Sequence, residues 1–151
     1  MIVARRILTA LWVLVTLGAA ADPQSERAIA GLMAQQFDRP EQRLEVGPVV
    51  VVADHAIAGW SQGDMGGRAL LRRKGRDWQI VLCSGDQLKS AETLRHAGVP
   101  ATSVQPLVER LAEAESRLPK ERLAQLSKFE GIVMIEGGHH PPQHHGPARM
   151  H

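Results

Sequence analysis

Residues 44–83, LEVGPVVVVADHAIAGWSQGDMGGRALLRRKGRDWQIVLC, decide the fold. Four apolar-rich stretches can be read there, near Val46 to Ala53, His55 to Trp60, Arg68 to Arg73 and Asp77 to Cys83. Turn-forming residues separate them: Ala53-Asp54, Gly63-Asp64-Met65-Gly66-Gly67 and Lys74-Gly75-Arg76. Connections this short join antiparallel neighbours, because a parallel crossover needs a dozen or more residues. The segment therefore predicts a four-stranded antiparallel meander.

On either side of it the period becomes helical. Upstream, Asp22 is placed to cap a helix whose first position is Pro23, with Ile29, Leu32, Met33 and Phe37 on one face and Arg39-Pro40 as its end. Downstream, Ser84 with Gln87 resembles a capping box opening a helix to about Ala97, which Gly98 would end. Leu107, Leu111, Ala114 and Leu118 form a further stripe, and Leu123, Leu126 and Phe129 another after Pro119, which should kink or restart the helix. Ile132 to Ile135 could add one more strand. The expected class is α+β: an N-terminal helix, the meander, then helices packed on the sheet in two layers. Cystatin-like and nuclear-transport-factor-like topologies share this order, a likeness of fold that carries no function.

Arg5 and Arg6 precede an apolar run from Ile7 to Leu17, closed by the small residues Gly18 to Ala21. That is the order of a secretory signal peptide, and the run is short for a membrane-spanning helix, which needs about 20 apolar residues. Residues 1–21 are thus expected to be a cleaved leader, 22–136 a single domain and 137–151 a tail, with the periplasm as destination. An uncleaved leader would leave the chain membrane-anchored.

Without the leader, Lys plus Arg falls from 18 to 16 against 16 Asp plus Glu. A chain so nearly neutral offers no electrostatic case for nucleic acid. Arg68, Arg72, Arg73, Lys74 and Arg76 form the one concentrated positive patch, expected on the exposed face and turn of a hairpin, or else facing an acidic partner. Cys83 is the single cysteine, so no internal disulfide can form. A buried, inert thiol is expected, with an intermolecular disulfide or soft-metal thiolate as alternatives.

The densest chemical signal is at the chain end, where five of the 7 histidines fall between His139 and His151. His139-His140 and His144-His145 are separated by Pro141-Pro142-Gln143, and His151 follows Met150. Neutral imidazole is the commonest biological ligand for copper, nickel and zinc, and a thioether such as Met150 or Met134 adds a donor suited to Cu(I). The expected metal set is His139, His140, His144, His145, His151, Met150 and Met134, with copper as the ion and zinc or nickel as alternatives. In the body, Asp54, His55 and Asp64 could meet across a hairpin as an acid–base pair. The plainer expectation is that both aspartates shape turns and His55 sits on an exposed hairpin end.

Phe37-Asp38-Arg39-Pro40, Asp54 to Asp64, Gly67 to Arg73, Trp78 to Asp86 and Phe129-Glu130-Gly131, with the His-rich end, resemble the small exported bacterial proteins called copper uptake system-associated proteins. The resemblance covers nearly all of the chain after the leader, and the Trp60 and Trp78 segments are its most distinctive parts. It implies a non-enzymatic role beside copper transport in the cell envelope, with copper transport or chaperone proteins as partners and no assigned catalytic residue. Two other functions stay open: a small-ligand or simple acid–base pocket in the body, with Asp54, His55, Asp64 and Cys83 as candidates, and a zinc or nickel buffer.

Overall fold

The structure, a computed structural model, describes residues 22–135. The proposed leader and the His-rich segment lie outside the described residues. The chain forms α1 (Pro23–Phe37), β1 (Leu44–Val52), β2 (His55–Gln62), β3 (Met65–Lys74), β4 (Asp77–Ser84), a 3₁₀ turn (Asp86–Lys89), α2 (Ala91–His96), α3 (Ala101–Ser116), α4 (Lys120–Leu126) and β5 (Ile132–Met134). The strands make one antiparallel sheet in the order β1-β2-β3-β4-β5. The expected α+β class, leading helix and meander are present, and the short C-terminal apolar run is a fifth, edge strand.

Asp22 caps α1 by accepting a hydrogen bond from the Gln24 amide, and Pro23 takes a position whose missing N–H costs nothing. Between strands, two-residue turns open on a left-handed residue: Ala53 (φ 52°), Gly63 (φ 57°) and Gly75 (φ 64°). Such turns match the right-handed twist of a hairpin. The glycine-rich stretch is therefore a turn only at Gly63-Asp64, while Gly66 and Gly67 belong to β3. Their missing side chains serve close packing instead. A Cβ on Gly66 would lie 2.7 Å from the Gln125 carbonyl oxygen, and one on Gly67 2.8 Å from Phe129 Cβ. These glycines let residues 125–131 cross the end of the sheet from α4 to β5.

Both sheet faces are covered, so the expectation of two layers is corrected to three. Strand alternation sends Ile57 and Leu70 to one face, where they meet Leu94 of α2 with Val104, Leu107 and Leu111 of α3. Ala56, Ala58, Ala69 and Leu71 point the other way, onto Ile29 and Met33 of α1. A meander whose strands bury both sides departs from the half-polar alternation usual in antiparallel sheets.

Three further expectations are corrected. The helix expected from Ser84 to Ala97 is split: Ser84 Oγ does lie 2.6 Å from Gln87 Oε1, yet it also donates to the Gly131 carbonyl and so ties down the last connection. The helix proper starts at Ala91, capped by Ser90. Arg68, expected on an exposed face, is completely buried and paired with Glu115. His55, expected on an exposed hairpin end, is also buried. Pro119 does restart the helix, ending α3 at Ser116 and capping α4.

A candidate binding pocket between the first helix and the edge strand

The cores on the two faces differ in completeness. On the α1 face a cavity of about 300 Å³ opens at the end of the sheet where β2 and β4 finish. Helix α1 contributes Met33 and Phe37 from its last turn, β1 contributes Leu44, and β2 contributes Trp60 and Gln62. Opposite them stand Cys83 of β4, Phe129 of the crossing segment, and Val133 and Ile135 at the C-terminal edge. Three of the four aromatic residues that follow the proposed leader line this one space. Trp60 and Phe129 meet edge to face at 5.7 Å, a geometry that aromatic quadrupoles favour.

Cys83 enters the wall through an irregularity. Leu70 pairs with Leu82 but Leu71 pairs with Ile80, so Val81 is an extra residue in β4. A bulge of this kind inverts the facing of everything beyond it. Trp78 and Ile80 therefore share the α1 face with Cys83 rather than with Leu82. Burial pushes the Cys83 thiol up to about 11, which keeps it protonated near neutral pH. It behaves as a small apolar wall residue.

Among the described residues of the lining, Gln62 carries the single side-chain amide. Its Nε2 donates to the Phe37 carbonyl at 2.7 Å and to the Gln42 carbonyl at 2.8 Å. Both amide hydrogens are thereby used, and Oε1 is the remaining hydrogen-bonding capacity of that side chain.

The residues singled out for acid–base chemistry do not come together. Asp54 and His55 lie at the opposite end of β2 from Gln62, and eight strand residues put those ends roughly 20–25 Å apart. Asp54 faces solvent, with Oδ1 4.0 Å from Arg73 Nε. Asp64 sits at the tip of the β2–β3 turn, exposed, and its carbonyl accepts from Lys128 Nζ at 3.0 Å. The His55 imidazole is held below its ordinary value by burial and by Arg72, its cross-strand partner, against a smaller opposite effect of Asp54. Of those four candidates Cys83 alone reaches the pocket.

Of the expected metal ligands, His139, His140, His144, His145, Met150 and His151 lie outside the described residues. Met134 is within them, 58% exposed on β5. It pairs with Leu82, whereas Val133 pairs with Cys83, so Met134 faces away from the pocket. Among the described residues no three of His, Cys, Asp and Glu are grouped so as to hold a metal ion, and no helix is long and apolar enough to cross a membrane.

The pocket itself carries no motif. Its residues are spread from Met33 to Ile135, and their only common sequence signal is that scarce aromatic residues stand at Phe37, Trp60 and Phe129. Comparison of the chain with protein-family models, with curated proteins and with solved structures found no match.

Proposed function

We propose that this protein is a non-enzymatic accessory of copper handling in the bacterial cell envelope, exported to the periplasm, whose His-rich C-terminal segment binds copper. The observation that carries the reading is the density of imidazole at the chain end, five histidines between His139 and His151 with Met150 among them. Two His-His pairs on a Pro- and Gly-rich stretch can supply up to four nitrogens to one ion, and imidazole suits copper, nickel and zinc alike. Met134 adds an accessible thioether to this donor set, since it is exposed on the last strand and lies three residues ahead of Gly137 in sequence. The body then serves to dock on a copper transport or chaperone protein.

The test is titration of untagged, exported protein with Cu(I) and Cu(II), beside a version truncated after Gly138. The expected result is copper binding that the truncation abolishes, with copper retained against zinc and nickel competition. Equal copper affinity in both versions would sink the proposal, and stronger retention of zinc or nickel would turn it into a buffer of those ions. A second reading, a body that binds a small ligand, has the 300 Å³ cavity in its favour.

A further inference from the structure

We infer that the cavity between α1 and β5 binds a compact apolar molecule, about the size of two fused rings, bearing one hydrogen-bond donor that Gln62 Oε1 accepts. The inference rests on the small-ligand reading of the body and is independent of the copper reading.

Size comes first. A dry apolar cavity of about 150 Å³ holds one benzene. The present cavity, about 300 Å³, has room for roughly twice that and reaches the lower end of the range of natural ligand pockets. Chemistry is next. The wall is mostly carbon and neutral sulfur, from residues such as Met33, Trp60, Cys83 and Phe129. Among the described residues its polar side-chain groups are the Gln62 amide and the Trp60 indole N–H, which is buried without an acceptor, and none is charged. An ionic ligand would lose its hydration there without a partner. A flat apolar ring system gains dispersion contact with Trp60 and Phe129 and removes apolar surface from water.

Gln62 sets the polar end. Its amide is immobilised by two backbone carbonyls, one closing α1 and one preceding β1, so its orientation is fixed before any ligand arrives. Because both N–H groups are engaged, the side chain can accept from a ligand and cannot donate to one. A hydroxyl or N–H on the ligand is therefore favoured, and a carbonyl, ether or carboxylate in that place is not. This separates the proposal from a pocket that merely absorbs anything greasy.

The test is calorimetric titration of the full-length protein with 2-naphthol, with 2-methoxynaphthalene, which keeps the shape and lacks the donor, and with 2-naphthoate. Saturable one-to-one binding of 2-naphthol is expected, about tenfold tighter than 2-methoxynaphthalene, the factor one hydrogen bond contributes, with no measurable binding of the carboxylate. Val133→Trp fills the space from the edge strand, where Val133 is already half exposed, and should weaken 2-naphthol at least tenfold while the protein stays folded. Gln62→Leu should erase the difference between naphthol and its methyl ether. Equal binding of the two probes by the unaltered protein overturns the assigned polar end and leaves the small-ligand reading standing. Absence of saturable binding, or binding that Val133→Trp does not change, overturns both.

Discussion

Arg68 Nε and Nη2 donate to the two carboxylate oxygens of Glu115 at 2.6 and 2.9 Å, joining β3 to α3 across 47 residues of chain. Arg68 is fully buried, and its Nη1 reaches the Leu126 carbonyl at the end of α4 and Asp86 in the 3₁₀ turn. One guanidinium thus holds three segments against the sheet. A buried pair of this kind is costly to assemble and more costly to break on one side.

Glu115→Ala should therefore destabilise the fold by about 3–5 kcal/mol, because it leaves Arg68 charged, buried and short of two acceptors. Arg68→Met combined with Glu115→Leu should recover most of that loss. Urea unfolding of the single and double variants checks it. A loss near 1 kcal/mol for the single variant, the size of an exposed pair, would show that solvent reaches the site.

Glycine substitutions should separate packing from conformational freedom. Gly67→Ala places a Cβ 2.8 Å from Phe129 Cβ and 3.0 Å from both Ser84 O and Trp60 Cζ2, so it should cost about 1–3 kcal/mol and shift Trp60 emission. Gly31→Ala, within α1 and with nothing near its added methyl, should stabilise the protein by up to about 1 kcal/mol. Thermal unfolding of the pair reads both signs, and equal effects would contradict the crossing of residues 125–131 over β3.

Cys83 should be slow toward thiol reagents. With the thiol raised from 9.0 to about 11, its thiolate population at a given pH below 9 is roughly a hundredfold smaller than that of an ordinary cysteine. The rate with a disulfide reagent at pH 8 should rise by at least that factor when the protein is unfolded in urea. Similar rates in the two states would place the thiol outside the wall described above.

Stability should fall as the solution is acidified through the histidine range. The folded state holds His55 below its ordinary value of 6.5, so between that value and the folded one the unfolded chain binds more protons. This contribution is fully present above about pH 7 and is lost as pH decreases below 6.5. His55→Gln should flatten the slope of unfolding free energy between pH 7 and pH 5, and an unchanged slope would assign it to other groups.

Much of the fold was legible because its signals are local. Asp22-Pro23 opens a helix by satisfying or omitting the first amides, and two-residue turns at Ala53-Asp54, Gly63-Asp64 and Gly75-Arg76 allow only antiparallel neighbours. The apolar run from Ile132 could be read as a strand, though its partner could not. Arg68 was misplaced for a physical reason: a basic residue among basic neighbours reads as solvated until the acid that neutralises it, 47 positions away, is known. His55 was misplaced similarly, since a residue beside a turn is usually exposed.

What the sequence determined by itself, then, is the list of elements, their antiparallel connection, and a chain end whose imidazole content can be assessed without any fold. Tertiary structure decided which faces are buried, because covering the second face requires α1 to return over strands it does not adjoin in sequence. It also decided the pocket. An extra residue at Val81 turns Cys83 toward α1, and Gly66 and Gly67 admit the backbone that carries Phe129 to Trp60. Neither effect is a property of any short segment: both arise where chain regions separated by tens of residues compete for the same space.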